Sequence, residues 1–140
     1  MNRNILTLFV LSFFVSLHAG VAAEEGALAP AIKKLSIRLS EPAFGKWNEP
    51  REIRSAEDAA KHFDGDALTK LTESVDFEKQ IVLVFAWRGS GRDKLDFVVM
   101  ESFPEQIAFS RQPGLTRDLR PHVHVYALRS NVKWSVRGKR

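Results

Sequence analysis

Seven consecutive apolar residues, Ile81 to Trp87 (Ile-Val-Leu-Val-Phe-Ala-Trp), constrain this chain more than any other feature. The run is rich in β-branched and aromatic types and is broken by Gly89-Ser90-Gly91, so it has the length and punctuation of a strand. It shows no alternation of apolar and polar residues, which means that both faces must be buried. The fold is therefore expected to be built around this strand as its centre.

The segments around it carry weaker but consistent patterns. Leu35, Ile37 and Leu39 alternate with Lys34, Ser36, Arg38 and Ser40, which predicts a first strand with one wet face. Glu41 to Pro50 holds two prolines and a glycine around Phe44 and Trp47 and reads as a long loop, with Trp47 capping the core. Arg51 to Arg54, just after Pro50, suggests a short edge strand. Ser55 with Asp58 three residues on is a helix cap, followed by Ala56, Ala59, Ala60 and Phe63 at helical spacing. A second short helix is expected between Asp66 and Ser74 through Leu68 and Leu71.

After the glycine turn, Leu95, Phe97 and Val99 resume an alternating pattern, which predicts a hairpin with Ile81–Trp87 and a mobile, charged tip at Arg88, Arg92, Asp93 and Lys94. Further strands are expected at Ile107–Ser110, at Val123–Leu128 and at Val132–Val136, the last with the charged residues of an edge strand. The short spacings between the later strands favour antiparallel pairing, because parallel neighbours need long crossovers. The class is α+β and β-dominated: six or seven mostly antiparallel strands, as a sheet or a sandwich, with one or two short helices near residues 55–74.

Residues 1–23 differ from the rest. They contain one base, Arg3, no acid, and an apolar run from Ile5 to Leu17 that ends in small residues, with Val21 and Ala23 placed for cleavage before Glu24. At thirteen residues, this nearly unbroken run is shorter than the roughly 18 that a membrane-spanning helix needs. The expectation is a signal peptide cleaved after Ala23, a flexible tether over 24–31, one domain over 32–140, and export to the periplasm or outside the cell with no membrane span thereafter. With no cysteine in the chain, no disulfide, thiolate metal site or lipid-modified cysteine is available.

No motif names a reaction or implies a cofactor. His122 and His124, at i and i+2 of a predicted strand, share one face and can both reach one zinc or copper ion. Two ligands are not a site, and a third would have to come from His62 or a carboxylate. The plainer alternative makes the two histidines the polar side of a strand whose other side is Val123 and Val125. Gly89-Ser90-Gly91-Arg92 lacks the ending of a phosphate loop, and Ser90 lacks a nucleophile-elbow frame. Nothing places His122 or Asp93 beside it, so an envelope hydrolase is the remotest alternative.

Charge is uneven. Arg111 to Arg140 carries eight bases against one acid, Asp118, whereas Glu24 to Ser110 carries twelve bases against sixteen acids. A basic C-terminal face containing Arg111, Arg117 and Arg120, together with Arg88 and Arg92 at the turn, is the expected binding surface for an exported protein or an anionic envelope polymer. Export argues against nucleic acid. Trp87 beside Arg88 has the make-up of a partner anchor as well as of a core residue.

Val75-Asp76-Phe77, Ile81-Val82-Leu83-Val84, the turn at Gly89–Gly91, Pro113-Gly114, and Pro121 followed by Val123 and Val125 together resemble the PrcB C-terminal domain family, small exported bacterial domains named after a protease-complex stability protein. The similarity spans about residues 50–135. It implies a β-rich, non-enzymatic module that binds or stabilises a partner, for instance a subtilisin-like protease. It also implies structural roles for Asp76, Gly89, Gly91, Pro113, Gly114 and Pro121. The chain departs from the family in lacking a lipid-anchor cysteine and in carrying Gly89-Ser90-Gly91-Arg92 where the family has Gly-Gly-Tyr.

Overall fold

The computed structural model describes residues 29–39 and 42–138. The expected signal peptide and cleavage point, and most of the tether, lie outside the described residues. The elements in chain order are β1 (Ile32–Leu35), β2 (Arg51–Ile53), α1 (Ala56–Ala60), α2 (Gly65–Ser74), β3 (Gln80–Ser90), β4 (Lys94–Met100), β5 (Gln106–Gln112), β6 (Leu119–Arg129) and β7 (Lys133–Arg137). The class is α+β and β-dominated, with seven strands in two mostly antiparallel sheets and two short helices among the described residues. One sheet has the order β1-β6-β3-β2, the other β4-β5-β7.

Strand β3 is buried on both faces, as its unbroken apolar run requires. Val82 and Val84 point to one side, where Val125 and Ala127 of β6 join Ile53, Ala59, Phe63 and Leu71 under the helices. Leu83, Phe85 and Trp87 point to the other, against Ile107 and Phe109 of the second sheet and Tyr126 of β6. The first sheet is thus a middle layer between helices and the smaller sheet. Helix α1 starts where the cap predicts, the Ser55 hydroxyl accepting from the Asp58 amide at 3.0 Å.

Three local expectations are corrected. The first strand begins earlier than the alternation suggests and ends at Leu35, pairing Ile32–Leu35 with Leu128 back to Val125 although β6 runs on to Leu119. The last strand pairs in parallel with β5, from Lys133 beside Gln106 to Arg137 beside Ser110, and so departs from the antiparallel rule that holds elsewhere. Most consequentially, β3 and β4 do not form a hairpin. β3 pairs along its whole length with β6, Gln80 opposite Arg129 and Ser90 opposite Leu119, while β4 pairs with β5. The glycine turn carries the chain from one sheet to the other. Wrapping Leu95 and Ile107 over Phe85 and Trp87 buries an apolar face that a flat hairpin would leave open to water.

No helix among the described residues is long and apolar enough to cross a membrane.

Candidate functional site

The turn after β3 meets the loop 113–118 before β6, and the two are locked together by side chains of both. Asp93 is the centre of this end of the molecule. Only 8% exposed, it accepts from the Trp87 indole N–H (3.0 Å) and the Arg111 Nη1 (3.2 Å) on Oδ2, and from the Gly114 amide (2.7 Å) on Oδ1. Burial pushes its pKa up, but the Trp87 and Gly114 hydrogen bonds, Arg111 and the nearby His122 outweigh this and hold the carboxyl below its ordinary value.

Ser90 and Asp118 complete the lock. The Ser90 hydroxyl accepts from the Thr116 amide at 3.1 Å and lies 2.6 Å from the Thr116 hydroxyl. Asp118 accepts from the Gly91 amide (3.1 Å) and from Arg120 Nε (2.6 Å). A hydrogen bond from the Thr116 hydroxyl, then the Gly91 amide and Arg120, hold the Asp118 carboxyl far below the usual carboxylate range. Gly114 is required by close approach: a Cβ there would lie 2.4 Å from Ser90 Oγ and 2.7 Å from the Arg92 carbonyl carbon. A Cβ on Gly89 would fall 2.2 Å from Asp93 Oδ2. The tip expected to be mobile is therefore pinned.

The arginines separate into two groups. Arg111 pairs with Asp93 and stacks over the Trp47 ring at 5.3 Å, and Arg120 pairs with Asp118, so both serve the scaffold. Arg88 lies over the Phe44 ring at 4.7 Å, while Arg92 and Arg117 are exposed at the tip. Arg120 and Arg129 sit at opposite ends of β6, and Arg129 pairs with Glu105. Of the other positions that the family resemblance singles out, Asp76 shapes the turn into β3, its Oδ1 accepting from the Glu78 amide (3.1 Å) and its carbonyl from the Gln80 amide (2.8 Å). Pro121 lies in β6 beyond the end of β1, where a missing N–H leaves no ladder bond unmade on that side.

His122 and His124 share the inner face of β6, stacked on Trp87 with ring centroids 4.9 and 5.4 Å away. They line the interior between the sheets and are not a polar outer side. The His122 Nε2 lies 2.8 Å from the Ser90 carbonyl, which can only accept, so this nitrogen carries a proton and has no lone pair for a metal. His62 lies on the opposite face of the first sheet, near Phe63 and Val84. Among the described residues, no three His, Asp or Glu side chains come together with metal-binding geometry. Ser90, His122 and Asp93 do converge, but not as a triad: the imidazole contacts the Ser90 carbonyl, and the hydroxyl is bonded to Thr116.

His124 has a buried Nδ1 with no hydrogen-bond partner among the described residues. Burial, then the positive charges of Lys34 and His122, lower its pKa from 6.5 to about 4. The unfolded chain therefore binds more protons between those values, and this contribution to stability is complete above pH 6.5 and lost as pH falls toward about 4. We expect His124→Phe, which keeps the stacking, to remove up to about 3 kcal/mol of this pH dependence. Guanidinium unfolding of both proteins at several pH values across the window measures it, and an identical dependence would refute the assignment.

Sequence reasoning missed Leu115 and Leu119. Leu115, on the pinned loop, is 98% exposed, and Leu119, the first residue of β6, is 68% exposed, with Arg117 between them in the chain. The available signal was two isolated leucines among polar residues, Pro113 and Gly114, which no periodicity assigns to a core. It also missed Phe44, whose role depends on Arg88. No protein-family model, curated protein or solved structure matches the chain.

Proposed function

We propose that the protein is an exported, non-catalytic binding module whose tip captures a protein partner with an acidic, partly apolar surface. The observation that carries this is the display of Leu115 on a loop held by the bonds of Asp93, Ser90 and Asp118, and of Leu119 where that loop enters β6, with Arg92 and Arg117 exposed at the same tip. A large apolar side chain on a fixed platform loses little freedom when a partner covers it, which is how binding hot spots gain affinity. The flanking arginines add attraction and orientation toward acidic groups. The family resemblance makes an exported protease the first partner to test.

Leu115→Asp combined with Arg117→Glu is expected to reduce crosslinked partner recovered from the cell envelope at least about tenfold. Its stability should stay within about 0.5 kcal/mol of the parent, since both residues are exposed. Capture by the parent should also weaken between about 50 and about 500 mM salt. Equal recovery by the variant and the parent, or no specific protein with either, would overturn the reading.

A further inference from the structure

Strand β1 leaves the first sheet at Leu35, while β6 runs on to Leu119. Where β1 is missing, residues 37–39, Pro42 and Phe44 border the exposed end of β6 and leave an open groove of about 800 Å³. Its walls are Ile37, Leu39, Pro42, Phe44, Pro121 and Val123, and among the described residues its only polar side chains are Arg38 and Arg88. The wall is built: the Gly45 amide donates to the Ala86 carbonyl at 2.9 Å and holds Phe44 beside β3.

We infer that this groove receives the apolar C-terminal segment of a protein partner, with the segment's carboxylate held by Arg88; the inference rests on the binding-module reading above. The volume is that of a ligand site and the described lining is apolar except for two cations, which asks for an apolar occupant with a negative charge. Among the described residues no lining side chain is acidic and Arg88 forms no ion pair. Stacking on Phe44 uses the face of the Arg88 guanidinium and fixes its plane. Its N–H edge remains for a carboxylate, the geometry in which arginine binds one with two parallel hydrogen bonds. A peptide terminus satisfies both demands with no other polar group. The groove also adjoins the tip, since Arg88 and Pro121 directly precede and follow tip residues in β3 and β6.

The test uses the folded protein and fluorescein-labelled tetrapeptides of Val, Leu, Ile and Phe, each as the free acid and as the C-terminal amide, in anisotropy titrations. The free acids are expected to bind about tenfold or more tightly than the amides. Arg88→Leu should abolish that difference and Arg88→Lys should restore part of it, with unfolding curves showing that both variants are folded. Leu115→Asp should leave peptide affinity within about twofold, so that a failed groove and a failed tip are told apart. Equal affinity of acid and amide, unchanged binding by Arg88→Leu, or no binding up to about 1 mM would overturn the proposal. Binding of dodecanoate without any peptide would overturn it in favour of a lipid.

Discussion

Asp93→Ala should destabilise the protein by about 3 to 5 kcal/mol, the range for removing one partner of a buried charge pair. That is a large fraction of the roughly 5 to 15 kcal/mol that a domain of this kind has in total. Three donors lose their acceptor at once: the buried Trp87 indole N–H, the Gly114 amide and Arg111. Water can reach Arg111, whose side chain is partly exposed, but not the indole, so most of the penalty falls on Trp87. Asp93→Asn retains an acceptor for the indole and should cost about half as much. Denaturant midpoints at neutral pH decide the matter, and a loss under about 1 kcal/mol would show that Asp93 is not the organiser of the tip.

The same residue has a pH signature. Its folded-state carboxyl titrates below its unfolded value, so the stability it contributes is present above the ordinary carboxylate range. It is lost as pH falls through the folded value. The His124 contribution disappears at higher pH, between 6.5 and about 4. Acid should therefore weaken the parent protein in two stages, and Asp93→Ala should retain the first and lack the second.

Trp87→Ala is expected to cost about 3 to 5 kcal/mol through the cavity it leaves. Trp87 is 1% exposed, packs in the core between the sheets and lies flat against His122 and His124. Its loss also leaves Asp93 without its indole donor. The two substitutions share one interaction, so the double variant should be less destabilised than the sum of the singles, by about 1 to 3 kcal/mol. Strict additivity would show that the indole–carboxylate bond is not energetically coupled. Trp87→Phe fills most of the space and isolates the hydrogen bond, at a cost of about 1 to 3 kcal/mol.

What the chain states locally is legible without coordinates. Seven unbroken apolar residues specify a strand buried on both faces, Ser55 and Asp58 specify the start of α1, and the alternation at Leu95, Phe97 and Val99 specifies β4. Each signal is written within a few neighbouring residues, because side-chain period and capping are local properties. The basic residues at the tip were legible as types, but not which of them are free to meet a partner.

Strand pairing was decided by the tertiary structure. Nothing near Gly89-Ser90-Gly91 says that β3 takes β6, thirty residues on, in place of β4; the choice depends on which arrangement buries both faces of β3. From that pairing come the site's contents. It sets His122 against Trp87, brings Gly114 and Thr116 onto the β3 turn, pairs Arg111 and Arg120 with carboxylates, and leaves Leu115 and Leu119 in water. It also opens the groove, because β1 ends before β6 does. A residue's type sets the contacts it can make, and only the fold's long-range burial selects the ones it does make.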